Sequence, residues 1–186
     1  MVLDNNILKW SDNFIYLGID FVLGSSLNVC CKNRIRKFMA SVSSVLHFKS
    51  VGYENVFAEI LIRKCLPVLM YGLDAVPLNS NSIKLVTQVW NCAFRWLYGV
   101  GKFTSTRHFF DSHGTMSMRF LLQCNTLSLY ACMQSTENDL LSKLFLYRYY
   151  EEKIQNLYMS YGLTKFHNVF HIKHCIRVKF NEYCED

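Results

Sequence analysis

His167, His171, His174 and Cys175 fall at i, i+4, i+7 and i+8 near the end of a 186-residue chain, so on a helix they share one face. Zinc accepts imidazole and thiolate, and an i, i+4 histidine pair can chelate it. The neighbours do not complete a site. His167 is followed by Asn168 and Val169, so the glutamate of an H-E-x-x-H helix is missing, and no cysteines stand close by at tight spacing. Partly buried or surface histidines are the better reading, and no metal or other cofactor is expected.

Gly99-Val100-Gly101-Lys102-Phe103-Thr104 glances at a phosphate-binding loop but departs from it twice. Trp96 stands where that motif needs its first glycine, and Phe103 stands where it needs the Ser or Thr that meets Mg²⁺. A helix rather than a strand is expected before it. No Gly-x-Ser-x-Gly turn is present, and Asp20, Asp74 and Asp111 are isolated rather than paired. The residues do not support an enzyme.

The cations are more informative. Net charge is +6, a lean toward polyanions. Lys32, Arg34, Arg36, Lys37, Arg63, Lys64, Arg95, Lys102 and Arg107 all lie between residues 30 and 110, where the only acids are Glu54, Glu59 and Asp74. A helical unit so charged can follow a phosphate backbone without reading bases. A solvated helix face is the competing explanation.

The elements that must position these residues follow from pattern. Hydrophobic content of 51% is enough for a core, and two prolines and eight glycines leave long uninterrupted stretches that favour helix. Asn13 to Leu23, rich in Phe, Ile, Tyr and Val, reads as a strand whose hairpin partner is Met1 to Trp10. Ser25 or Ser26 would cap a helix from Val29 to Phe48, with Ile35, Phe38, Met39, Val42, Val45 and Leu46 as its apolar face. A second helix is expected from Tyr53 or Glu54 to Leu66, with Phe57, Ile60 and Leu61 inward. Pro67 should kink or break it, with an apolar continuation to Tyr71 and a stop at Gly72. A third helix from Asn81 to Tyr98 would bury Val86, Val89, Trp90, Ala93, Phe94 and Leu97 and end on Gly99. A loop over 99–114 with a turn near Arg107 to Phe110 comes next. Helices over Ser117–Met133, Asn138–Tyr158 and Thr164–Tyr183 complete a mainly α fold: an N-terminal strand or hairpin, a three-helix bundle and further helices.

The eight cysteines include the adjacent Cys30 and Cys31 but no C-x-x-C pair. Met1 to Trp10 carries no secretory h-region, so reduced thiols packing as small hydrophobes are expected. The expected location is intracellular, nuclear or cytoplasmic rather than secreted. The longest uncharged run, Phe120 to Thr136, is too short and too polar to span a bilayer, so no membrane is expected as a partner.

Three blocks in order resemble the end of a LINE-type (non-LTR) retrotransposon reverse transcriptase. Phe14-Ile15-Tyr16-Leu17-Gly18-Ile19-Asp20-Phe21 resembles the Tyr-Leu-Gly block that closes the palm, carried here by Tyr16, Leu17 and Gly18. Arg34-Ile35-Arg36-Lys37-Phe38-Met39-Ala40 looks like the opening of the thumb. Cys65 to Ala75 is similar to the Pro-x-Leu-x-Tyr-Gly-x-Glu element, with Pro67, Tyr71, Gly72 and Asp74 in its positions and Asp where Glu is usual. Trp90, Phe94, Arg95 and Gly99 fit the helix after it. The resemblance covers residues 10 to 110.

It implies a palm end over 1–25, a thumb-like bundle over 26–110 and a helical connector over 111–186. It also implies a primer–template RNA/DNA duplex as the non-specific partner, with the missing palm as the natural packing partner. The metal-binding aspartates of the palm would precede residue 1, so this chain alone is expected to be a truncated, non-catalytic fragment of an RNA-directed DNA polymerase. A helical protein-interaction module and a functionless translated remnant are the alternatives.

Overall fold

The computed structural model describes residues 2–3, 6–7, 11–23, 27–49, 52–76, 78–135, 148–163 and 169–185. The chain is mainly helical, with a three-stranded antiparallel sheet ahead of the helices. Strands β1 (Val2–Leu3) and β2 (Asn6–Ile7) pair with each other. Strands β3 (Asn13–Tyr16), β4 (Ile19–Leu23) and β5 (Leu27–Val29) form the sheet in that order.

This corrects the single strand over 13–23 paired with residues 1–10. The segment folds back on itself, with Tyr16 opposite Ile19 across a two-residue turn. Leu17 and Gly18 both have positive φ, 47° and 75°. Such a pair matches the right-handed twist of the flanking strands, so the glycine of the Tyr-Leu-Gly block is a hairpin turn residue.

Helix α1 (Lys32–His47) begins at Lys32 rather than Val29, because Val29 ends β5, paired with Phe21. Ser25 and Ser26 lie outside the described residues; the N-cap is Cys31. Phe38 and Val42 are fully buried, and Ile35, Met39, Val45 and Leu46 pack around them.

Helix α2 (Glu54–Ile60) buries Ala58 and runs without interruption into a π-helical turn, Leu61–Cys65, and then α3 (Leu66–Met70). The run does not break at Pro67; the irregularity is the π-helical turn just before it. Leu66 N–H reaches back five residues to the Leu61 carbonyl, and Pro67 then sits in the first turn of α3, where a missing N–H costs nothing. Gly72, at φ 67°, ends the run.

Helix α4 (Ser80–Tyr98) is capped at its start by Asn79, whose side chain accepts from Ser82 N–H at 2.7 Å. At its end Gly99, at φ 63°, lets Val100 N–H close onto the Arg95 carbonyl at 3.0 Å. Its buried stripe is Val86, Trp90, Ala93, Phe94 and Leu97, with Val89 half-buried.

Trp90 is the hub. Its ring lies 6.2 Å from Phe38, 4.9 Å from Phe94 and 6.1 Å from Phe110, and its indole N–H donates to the Met116 carbonyl. Phe110 belongs to α5 (Arg107–Ser112). Tyr98 stacks on Phe109 at 4.1 Å and its hydroxyl hydrogen-bonds His113 Nε2.

Helices α6 (Met118–Gln134), α7 (Arg148–Ser160) and α8 (Val169–Glu185) follow. Residues 136–147 and 164–168, which the expected helices over 138–158 and 164–183 include, lie outside the described residues. Phe120 of α6 meets Phe180 of α8 at 5.3 Å, and Tyr130 of α6 meets Tyr158 of α7 at 5.5 Å. One hydrophobic core runs from Val29 to Phe180. The described cysteine side chains are free thiols.

Two predictions follow from this packing. Gly72 and Gly99 share a left-handed backbone, but a Cβ at Gly72 would fall 2.7 Å from Ile19 Cδ1, whereas one at Gly99 would meet nothing within 4 Å. Gly99→Ala should cost about 1 kcal/mol for the backbone alone. Gly72→Ala should cost more, and Ile19→Val should recover part of the difference, as read from urea midpoints.

The second prediction concerns His113. Burial pushes its pKa below the ordinary 6.5, with Glu59 pulling the other way. The unfolded chain therefore binds a proton that the folded chain resists, so this contribution is complete above pH 6.5 and is lost as the pH falls below it. The urea midpoint of the native chain should drop across that window, and His113→Gln should remove that part of the slope.

Candidate nucleic-acid interface

The sheet is fastened to the helices by its turn and by its last strand. Tyr71, just past α3, donates its hydroxyl to the Leu17 carbonyl at 3.3 Å, and its ring edge lies 3.8 Å from where a Gly18 Cβ would stand. Asn33 donates to the Asp20 carboxylate at 3.1 Å. Ser82 donates to the Val29 carbonyl, and Asn79 donates to the Asn28 side chain, each at 3.5 Å. The Tyr-Leu-Gly block and the Pro-to-Asp block, 54 residues apart in sequence at the Leu17–Tyr71 bond, therefore touch.

Between them opens a groove of about 630 Å³. The hairpin contributes Ile15, Gly18 and Asp20. The first half of α1 contributes Asn33, Arg34, Arg36 and Lys37, α3 contributes Pro67 and Val68, and Tyr71 follows just past its end. Three cations thus face one carboxylate, Asp20, which is already held by Asn33.

Arg34 differs from the other two cations. Only 8% of it is exposed, whereas Arg36 and Lys37 are open to solvent. Its guanidinium carbon lies 5.7 Å from the centre of the Tyr71 ring. Burial pushes its pKa down from the ordinary value, while Cys31, Asp20, Tyr71 and Asp74 raise it again. Guanidinium stays charged through such shifts. One of its nitrogens, Nη1, is buried with no hydrogen-bond partner. A buried cationic donor left empty is costly.

The remaining candidate cations lie outside the groove. Lys32 is exposed on the first turn of α1. Arg63 is paired with Glu59 at 2.6 Å along the helix, and Lys64 beside it is exposed. Arg95 donates to the Thr104 carbonyl at 2.8 Å and so holds the loop after α4 in place, a structural task that charge counting does not reveal. Lys102 lies 5.8 Å from the ring of Phe103 in that loop, and Arg107 opens α5. In the family-like blocks, Tyr16 and Leu17 are exposed, Pro67 and Tyr71 line the groove, Gly72 is pressed against Ile19, and Asp74 is half-buried near Arg34.

On α8, Cys175 Sγ lies 3.4 Å from His171 Nε2, and His174 is exposed. His167 lies outside the described residues. Among the described residues no three His, Cys, Asp or Glu side chains gather as metal ligands, and no helix is long and apolar enough to cross a membrane.

Two groove residues escape a reading by composition. Asn33 and Asp20 are polar positions in different elements, and only the fold brings them together. The burial of Arg34 had a signal: it stands four and eight residues before Phe38 and Val42, on the same face of α1.

No protein-family model, curated protein or solved structure matches this chain.

Replacing Arg34 by methionine keeps a long side chain under Tyr71 and removes the empty donor. Arg34→Met should raise stability by about 1 kcal/mol or more, measured as an upward shift of the urea midpoint. A lowered midpoint would mean that the guanidinium is well satisfied where it sits.

Proposed function

We propose that this chain is a non-catalytic part of a LINE-type retrotransposon RNA-directed DNA polymerase: a palm end, a thumb-like helical unit and a helical connector. It holds the backbone of a primer–template RNA/DNA duplex without reading its sequence. The observation that carries the reading is the groove. It joins the Tyr-Leu-Gly turn to the Pro-to-Asp element, and it puts Arg34, Arg36 and Lys37 at the seam.

Exposed cations at such a seam bind phosphates and displace counterions, giving salt-dependent and sequence-tolerant affinity. The groove serves binding rather than bond-making: its single carboxylate, Asp20, is engaged by Asn33, and two-metal phosphoryl transfer needs paired acids. Within this reading Arg36 and Lys37 are the direct phosphate contacts, while Arg95 and Arg63 serve the fold.

The hairpin also exposes Phe14, Ile15, Tyr16, Leu17 and Leu23. In an intact family member such a surface packs on the rest of the palm. The same exposure favours the second reading, a helical protein-interaction module. A discrete oligomer in light scattering together with no nucleic-acid binding would select that reading.

The deciding titration is fluorescence anisotropy of a labelled RNA–DNA duplex at several salt concentrations. The native chain should tighten at low salt with a log-linear dependence. Arg36→Glu combined with Lys37→Glu should weaken binding and reduce the slope by about two, one for each lost phosphate contact. A double variant with native affinity and native slope would end the assignment of those two residues.

A further inference from the structure

The groove contains more than charge. Tyr71 is 60% exposed, yet it is not free to swing. Its hydroxyl is tied to the Leu17 carbonyl, its ring lies against Gly18, and Arg34 sits beside it at cation–π distance. An exposed aromatic ring held in place has already lost the rotamer freedom that stacking would otherwise remove. Ile15, Pro67 and Val68 give the groove apolar walls around it. A duplex backbone offers such walls nothing, since its bases are stacked inside the helix. An unpaired nucleotide offers both halves: a π-face for the ring and a phosphate for the cations.

We infer that this groove takes one unpaired nucleotide, with its base stacked on Tyr71 and its phosphate on the exposed Arg36 and Lys37. The inference rests on the nucleic-acid reading of the same groove and narrows its ligand from duplex backbone to the single-stranded end of a duplex. Arg36 and Lys37 are the solvent-open cations of the lining, and they mark where the phosphate sits. The volume of about 630 Å³ falls within the range of small-ligand sites. Asp20 is the one acid in the lining, against Arg34, Arg36 and Lys37.

The test uses the full chain and three labelled probes at low salt: a blunt RNA–DNA duplex, the same duplex with a short single-stranded overhang, and that overhang made abasic so that phosphates remain without bases. The native chain should bind the overhang about tenfold tighter than the blunt duplex, the gain expected of one stacked base. The abasic overhang should lose most of that gain. Tyr71→Ala should reduce the normal overhang to the level of the abasic one. Tyr71→Phe, which keeps the ring, should retain most of the preference, and cooperative melts of both variants would exclude misfolding as the cause.

Equal affinity for normal and abasic overhangs, or a Tyr71→Ala variant that keeps the preference, would overturn the inference. Those results leave the duplex reading standing if the blunt probe still binds with a salt-dependent slope. Overhang binding without blunt-duplex binding would do the reverse. A folded chain that binds no probe would overturn both.

Discussion

The burial of Trp90 organises the molecule. A single indole meets α1 through Phe38, its own helix through Phe94 and α5 through Phe110, and it satisfies its one polar atom on the Met116 carbonyl just before α6. A ring of this size buried without its hydrogen bond would be a liability; with it, the ring both fills space and fixes orientation. Four parts of the chain thereby take their positions from one residue. The groove inherits this rigidity, because the helix that supplies Arg34, Arg36 and Lys37 is the helix that Phe38 anchors.

A second constraint is local and geometric. The hairpin is too small to be stable by itself, and it leans on the helices through a few contacts of high precision: Tyr71 on Leu17, Ile19 on Gly72, Asn33 on Asp20. Glycine is required at 72 because the backbone turns left-handed there and a side chain already occupies the space that its Cβ would need. The two blocks that look like motifs in sequence are thus complementary halves of one joint. The cations around the joint gain a direction from it, which charge composition alone cannot provide.

Much of the helical part was legible because its signals are periodic. Val86, Trp90, Ala93, Phe94 and Leu97 announce one face of α4, and Gly99 announces its end. The strands were less legible, since apolar alternation over 13–23 does not reveal that Leu17, a residue that disfavours left-handed backbone, nevertheless joins Gly18 in the turn. Pro67 marked an irregularity but not its form. Its clash is a property of regular α-helix, and the chain avoids it by widening the turn before it. In the site, exposed Arg36 and Lys37 follow from simple periodicity. Arg34 hid in plain view on the apolar stripe, and Arg95 makes a bond to the Thr104 carbonyl that its charge does not announce. Charge counts do not separate these roles, because the partner that decides each one, Tyr71 or the Thr104 carbonyl, comes from elsewhere in the chain.

The π-helical turn over Leu61–Cys65 acts as a phase shifter. Its hydrogen bond from Leu66 N–H to the Leu61 carbonyl spans five residues, where an α-helix spans four. Everything beyond the turn is consequently rotated about the helix axis relative to what an unbroken α-helix would present. The turn holds one residue more than an α turn, so winding the same residues as unbroken α-helix would turn Tyr71 by about 100°. The ring would then face away from the hairpin and from Arg34 together. The azimuth of the groove's aromatic wall is therefore set six to ten residues upstream, in a stretch outside the groove lining.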